Sequence, residues 1–190
     1  MINNWRDYMY LVAIPSGDLY EEAFRIQRLL SNSWEVYQNL PPTIHITITT
    51  VKRIHQEQIE VFSKCVQQVL DGFDSIKIQS SGFDCFTEPH KSLILKIEDS
   101  QKLQQVQYLL RQAIDKSGFL VAPLVDKWIF HITILSEIFA KSPLENHEFL
   151  KVCQRVSLRE APIRGVIERF ELWRPVIEEK ERVVRRFYLK

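Results

Sequence analysis

Hydrophobic positions recur along this chain with two alternating periods. Residues 8–14 form a nearly continuous β-prone run, Tyr8 to Ile14, closed by Pro15, Ser16 and Gly17. That pattern predicts a strand and then a turn. Tyr20, Ala23, Phe24, Gln27 and Leu30 follow at the spacing of a mostly apolar helical stripe, and Asp18 with Glu21 resembles a capping box at its start. An extended run over 43–51 comes next. A second helical stripe holds Ile59, Phe62, Val66, Val69 and Leu70 and ends near Gly72. Over 75–86 the period drops to two, with Ile76 and Ile78 alternating with Lys77 and Gln79.

The same order then returns. Residues 92–97 predict a strand, and Leu103, Val106, Leu110, Ala113 and Ile114 stripe a helix ended by Gly118. A strand is expected over 128–135. Ser142, Pro143, Leu144 and Glu145 make a helix start whose buried side holds Phe149, Val152 and Val156. Strands over 165–173 and 182–189 are joined through Pro175 and a charged turn. Each half thus reads strand, helix, strand, helix, strand, a duplicated α+β unit. The expectation is one domain, 1–190, of two pseudo-symmetric lobes, with halves of roughly 1–90 and 91–190 that meet near Glu88, Pro89 and His90. Each lobe is expected to be an antiparallel-type sheet with helices on its outer face, and the active groove to lie between the lobes.

Composition narrows the class. Of 190 residues, 45% are hydrophobic and 26% charged, which suits a globular protein with a proper core. A net charge of +1 lacks the broad basic field that long nucleic acid requires, yet allows a small anionic substrate. Cys65, Cys85 and Cys153 lie far apart without C-x-x-C spacing and predict reduced core thiols in a reducing compartment. Polar residues after Met1 argue against a secretion signal, and no apolar stretch reaches membrane-spanning length. A cytoplasmic monomer is expected.

Chemistry enters with a repeat of four residues: His45-Ile46-Thr47-Ile48 and His131-Ile132-Thr133-Ile134. Strand side chains alternate between faces, so each histidine shares a face with the threonine two positions on. Two such surfaces across a groove would set one imidazole on either side of a phosphorus centre. Histidine titrates near pH 6.5, so one neutral and one protonated ring can act together as base and acid. Threonine hydroxyls can donate to non-bridging oxygens where charge grows. Neither motif carries a second His, Cys or carboxylate at metal-ligand spacing, so neither a metal nor another cofactor is expected.

The paired motif, one copy per half, resembles the 2H phosphoesterase superfamily, which includes the bacterial 2'-5' RNA ligases and the 2',3'-cyclic nucleotide phosphodiesterases. The resemblance implies that His45, Thr47, His131 and Thr133 line a catalytic cleft. It further implies a metal-independent phosphoesterase acting on 2',3'-cyclic phosphate ends or 2'-5' linkages, with a small nucleotide or RNA end as partner. Two other readings stand beside it: a cyclic phosphodiesterase on a small metabolite such as an ADP-ribose cyclic phosphate, and a non-catalytic groove that binds RNA ends.

Substrate contacts follow from strand parity. If the first motif strand stays regular, Thr49 and Arg53 share the His45 face; Lys127 falls on the His131 face by the same rule. Either cation could attract a flanking phosphate. Tyr8 and Tyr10 share a face and offer stacking to a base, although packing is a competing use. Trp173, Arg182, Arg185 and Arg186 invite the same reading, but an alternating strand with one wet face explains the arginines equally well. His55, His90 and His147 receive no role.

Overall fold

A computed structural model describes residues 7–37, 41–88, 90–98, 100–123, 128–157, 162–176 and 178–190. The first half contains β1 (Tyr8–Ser16), α1 (Asp18–Trp34), β2 (Ile46–Lys52), α2 (Ile59–Leu70) and β3 (Ile76–Phe86). The second contains β4 (Ser92–Ile97), α3 (Gln101–Lys116), β5 (His131–Ser136), α4 (Asn146–Ser157) and β6 (Arg164–Trp173), then α5 (Glu179–Arg182) and β7 (Val183–Tyr188). The fold is α+β with antiparallel strands, as the duplicated pattern predicts.

Strand pairing shows how the halves are joined. Within each half the first two strands pair, β1 with β2 and β4 with β5. The last strand of each half crosses over: β3 pairs with β4, and β6 pairs with β1. β2 meets β5 at Ile46↔Ile132, and β3 meets β6 along Ile76–Gln79. The hydrogen-bonded path β1-β2-β5-β4-β3-β6 therefore returns to β1, with β7 added alongside β6. A local twofold relates the halves through the β2–β5 and β3–β6 contacts.

Alternation assigns the two faces. On β1, Met9, Leu11, Ala13 and Pro15 are buried, while Tyr8, Tyr10 and Ile14 on the other face are partly exposed. The buried face packs under helices: α1 lies against β1, β5 and β6, α4 against β3, and α2 and α3 against each other. One continuous core cluster takes in apolar residues from both halves. α1 packs closely on β6 at Gly165, where an added Cβ would sit 2.6 Å from Leu19 Cβ and 2.8 Å from the Ser16 carbonyl oxygen.

Several local expectations change. Asp18 is the first helical residue rather than a cap. The N-cap of α1 is Gly17 at φ 74°, whose carbonyl accepts from Tyr20 and Glu21. α4 starts at Asn146, later than the Ser142-Pro143 signal predicts, because tertiary bonds hold the preceding segment. The Leu144 N–H donates to Glu137 Oε1 at 3.0 Å, and the Leu144 carbonyl accepts from Lys91 Nζ at 2.7 Å. Cys85 and Cys153 are not free thiols: they form a disulfide between β3 and α4, closing a separation of 68 residues. Pairing depends on packing between distant elements, which spacing along the chain does not reveal. Cys65 is free and buried. Among the described residues, no helix is long and apolar enough to cross a membrane.

Gly165→Ala is expected to cost about 1–3 kcal/mol through overpacking against Leu19 and Ser16, measured by urea denaturation. A substitution without effect on the unfolding midpoint would show that the α1–β6 contact is not tight.

Candidate active site

The repeated motifs lie on the two strands that meet at the local twofold. Ile46 and Ile132 are paired and fully buried. Carried one residue further in the antiparallel sense, that register sets Thr47 opposite His131 and His45 opposite Thr133. All four side chains are partly exposed, while Ile48 and Ile134 are buried beside them. The histidines and threonines thus share one face of neighbouring strands.

Each motif strand is also bulged at its fourth motif residue. Opposite β1 the register jumps from Leu11↔Thr49 to Val12↔Thr47 and skips Ile48. Opposite β4 it jumps from Leu93↔Leu135 to Ile94↔Thr133 and skips Ile134. A bulge inserts one residue and reverses the parity beyond it. Thr49 therefore leaves the His45 face; it is buried and accepts a hydrogen bond from Arg111 Nη1 at 2.8 Å. Arg53 lies past the end of β2 and is exposed, with its backbone N–H donating to the Asp7 carbonyl at 2.8 Å. The regular-strand argument that brought Arg53 to the His45 face fails at Ile48. Lys127 lies outside the described residues. Tyr10 does sit on the histidine face, half-buried and paired across to Trp173 and Thr50. Burial, and then the neighbouring Tyr8, raise the Tyr10 phenol.

Both imidazoles are oriented alike. His45 Nδ1 contacts the Thr43 carbonyl at 2.7 Å, and His131 Nδ1 the Ile129 carbonyl at 2.8 Å. A carbonyl only accepts, so each Nδ1 carries its hydrogen and each Nε2 is the titrating nitrogen. Burial pushes His45 down to about 4, partly opposed by the Thr43 bond and reinforced by Arg182 and His131. Burial also lowers His131, against the bond to Ile129. His131 lies close enough to oppose a proton on His45.

An aromatic ring stands against each histidine. Trp173 lies 4.7 Å from His45, and Phe86 lies edge-on 6.2 Å from His131. Across strands, Trp173 and Phe86 occupy equivalent positions, as do Glu171 and Asp84, which face Val12 and Ile94. Glu171 is only 4% exposed; it accepts from the Trp173 indole N–H at 2.6 Å and from Arg186 Nε at 3.1 Å, and pairs with Arg169 at 3.0 Å. Asp84 pairs with Lys96 at 3.3 Å, and Lys96 is the cross-strand partner of His131. Arg182 stacks on Trp173 at 4.3 Å and donates to Thr43 Oγ1 at 2.7 Å. Arg185 bonds Glu60 on α2 instead.

Motif reasoning did not find Glu171, Asp84, Phe86, Lys96 or Thr43. One signal for the first three was present: Asp84-Cys85-Phe86 and Glu171-Leu172-Trp173 repeat acid-x-aromatic 87 residues apart, beside 86 for the histidines. Among the described residues, no group of three or more His, Cys, Asp or Glu is placed to hold a metal ion.

The sequence matches the profile of the 2'-5' RNA ligase superfamily over residues 15–176. The fold resembles TT0787 of Thermus thermophilus, at 14% identity over 96% of this chain and 97% of that one, with a TM-score of 0.67. It also resembles Escherichia coli LigT without ligand, at 11% identity over 97% and 98% of the two chains and a TM-score of 0.66. The same protein complexed with 3'-AMP gives 12% identity over 97% and 98%, with a TM-score of 0.62. No curated protein matches the chain in sequence.

A histidine held near 4 when folded but near 6.5 when unfolded binds its proton first in the unfolded chain. Stability is therefore full above about pH 6.5 and falls as pH drops towards about 4, by on the order of 2 kcal/mol for this partly exposed ring. Urea titrations of wild type and His45→Gln over that window are expected to show the smaller loss in the variant. Equal losses would contradict the buried-imidazole account.

Proposed function

The chain belongs to the 2'-5' RNA ligase superfamily, among the 2H phosphoesterases, and we propose that it opens 2',3'-cyclic phosphate ends or 2'-5' linkages by paired-imidazole catalysis. One observation carries this reading. Two histidines on adjoining strands are each pinned at Nδ1 by the carbonyl two residues earlier, with Nε2 left to exchange protons.

In-line opening of a cyclic phosphate needs a base at the attacking oxygen and an acid at the leaving oxygen. One Nε2 takes a proton from water as the water oxygen bonds to phosphorus. The opposite Nε2–H gives its proton to the ester oxygen as that bond to phosphorus breaks. Thr47 and Thr133, one beside each histidine, donate their hydroxyls to the non-bridging oxygens, where negative charge accumulates. The local twofold at the Ile46–Ile132 pairing supports such an opposed placement. With a 5'-hydroxyl in place of water as the attacking group, the same two proton transfers would join ends. The 5'-oxygen bonds to phosphorus as the 3'-oxygen of the cyclic ester leaves with a proton, giving a 2'-5' linkage.

The substrate is drawn from RNA, because a 2'-oxygen is required for both linkages. LigT complexed with 3'-AMP, a fold relative, supports a small nucleotide or RNA end as the partner. Tyr10 and Phe86 border the histidine face and offer flat surfaces for a base.

The test is turnover of 2',3'-cyclic AMP and a 2'-5' dinucleotide in excess chelator. Wild type is expected to process at least one. His45→Ala and His131→Ala are each expected to lose on the order of 10²–10⁴ in rate while keeping most of the affinity. Binding without turnover in wild type would favour a groove that only holds RNA ends.

A further inference from the structure

The face that carries His45 and Thr47 does not end at β2. Thr47 stands opposite Val12 on β1, Val12 opposite Glu171 on β6, and Glu171 opposite Arg186 on β7. In the next row, on the His45 side, Ile14 stands opposite Arg169, and Arg169 opposite Tyr188. Directly opposed residues of an antiparallel pair share a face. Phe170 and Phe187, paired between these two rows, are buried in the core, so Arg169, Arg186 and Tyr188 all lie on the histidine face. At about 4.8 Å per strand, the Arg169 backbone stands roughly 10 Å from the strand of His45. β7 has no counterpart among the described residues of the first half.

Two guanidiniums meet there on one oxygen. Arg186 Nε donates to Glu171 Oε1 at 3.1 Å, and Arg169 Nε lies 3.0 Å from the same atom. Oε2 accepts from the Trp173 indole. Glu171 is buried, whereas the side chains of Arg169 and Arg186 are 38% and 46% exposed. Two like charges held on one oxygen repel each other, and an incoming anion relieves that repulsion. Glu179 approaches Arg186 at 3.5 Å, but its side chain is 68% exposed, where an ion pair is weak and readily exchanged. The Tyr188 ring beside them is 59% exposed. The matching wall of the other lobe is built differently. Gly82 stands two residues before Asp84, as Arg169 stands before Glu171, and Asp84 pairs with Lys96.

We propose that Arg169 and Arg186 bind the phosphodiester one nucleotide upstream of the reacting end, with Tyr188 under the base that precedes it. The ligand is then a single-stranded RNA end of at least two nucleotides. This rests on the RNA-end reading above and narrows its substrate class. Guanidinium forks match phosphate oxygens by paired, charge-assisted hydrogen bonds. A tyrosine face stacks on any base, so the subsite reads length and not sequence. The row from Ile14 to Tyr188 leads away from His45, far enough to hold a separate phosphate and near enough for one ligand to reach both. Arg185 takes no part, because it bonds Glu60 on α2. Two arginines on one wall also suit a chain whose net charge is only +1: they hold a short end and not a long duplex.

The experiment measures binding of unreactive ligands to the full chain by calorimetry, independently of turnover. The probes are adenosine 3'-phosphate, adenosine 3',5'-bisphosphate and a 3'-phosphorylated adenosine dinucleotide. The dinucleotide is expected to bind about fiftyfold more tightly than the monophosphate, with the bisphosphate between them. Arg169→Gln and Arg186→Gln are each expected to cut the dinucleotide's advantage about fivefold. Tyr188→Ala is expected to cut it by about the same factor, with a smaller effect on the bisphosphate, which lacks the second base. Its exposed position makes it the variant that serves if an arginine variant does not fold around Glu171. Arg185→Gln removes the same charge from the helix side of β7 and is expected to keep the full advantage. Equal affinities for dinucleotide and monophosphate in wild type overturn the proposal. So does an advantage that survives the arginine and tyrosine variants, or one that Arg185→Gln reduces as much. A bisphosphate that binds as tightly as the dinucleotide overturns the strand-end ligand in favour of a small metabolite with two phosphates. Length-dependent binding, lost in these variants, in a protein without turnover would keep the subsite and remove the phosphoesterase reading. Turnover of 2',3'-cyclic AMP and of a cyclic-phosphate-ended dinucleotide with equal kcat/KM would remove this proposal alone, and failure of all three probes to bind would remove both.

Discussion

A single backbone pairing, Ile46 with Ile132, fixes how the two halves present their chemistry. Both isoleucines are locked into the core, which forces the residues on either side of them onto the opposite face. Slippage by one residue would bury His45 and Thr47 and expose isoleucines in their place. The bulges at Ile48 and Ile134 lie just beyond, one on each strand. Beyond its bulge, β2 turns its far edge to the segment after α3, where Val51 bridges Val121. β5 likewise receives the chain after α1, with the Ser136 N–H donating to Tyr37 Oη at 2.9 Å. Pairing between β2 and β5 is thereby centred on Ile46 and Ile132, beside the histidines.

Much of this was legible in sequence because it depends on period and repetition. The alternation over Ile76–Gln79 and the helical stripes gave the element order, and the duplicated H-x-T run marked the strands at the axis. What escaped depends on partners distant along the chain. Parity placed Arg53 correctly for a regular strand, and an inserted residue defeated it. Glu137 and Lys91, rather than a local signal, decided where α4 begins. Glu171 acquires its meaning only from its cross-strand neighbours, Val12 and Arg186. The disulfide removes the support that unpaired thiols gave to a reducing compartment.

The two lobes anchor equivalent strands by different physics. Between Glu171 and Trp173 stands Leu172, fully buried in the core. At the matching place between Asp84 and Phe86 stands Cys85, bonded to Cys153 on α4. One lobe thus relies on apolar burial beneath an ion-pair network of Glu171, Arg169 and Arg186, where burial of the carboxylate is offset by its charged partners. The other holds its strand by a covalent link and leaves the carboxylate on a partly exposed lysine. The ring beside His45 is buried, and that beside His131 is 36% exposed.

The exchange of β3 and β6 between halves has an ancestral reading. A chain of half this length, built on the same plan, would lack the strand its own hairpin needs and would have a spare one to lend. It would complete itself only by meeting a second copy, each donating its final segment to the other. Fusing two such copies in one gene replaces an encounter that depends on concentration with a tethered one. Fusion also frees the copies to diverge: a twin pair of identical subunits must carry the same substitution on both sides, whereas a joined pair can add a cation to one side alone.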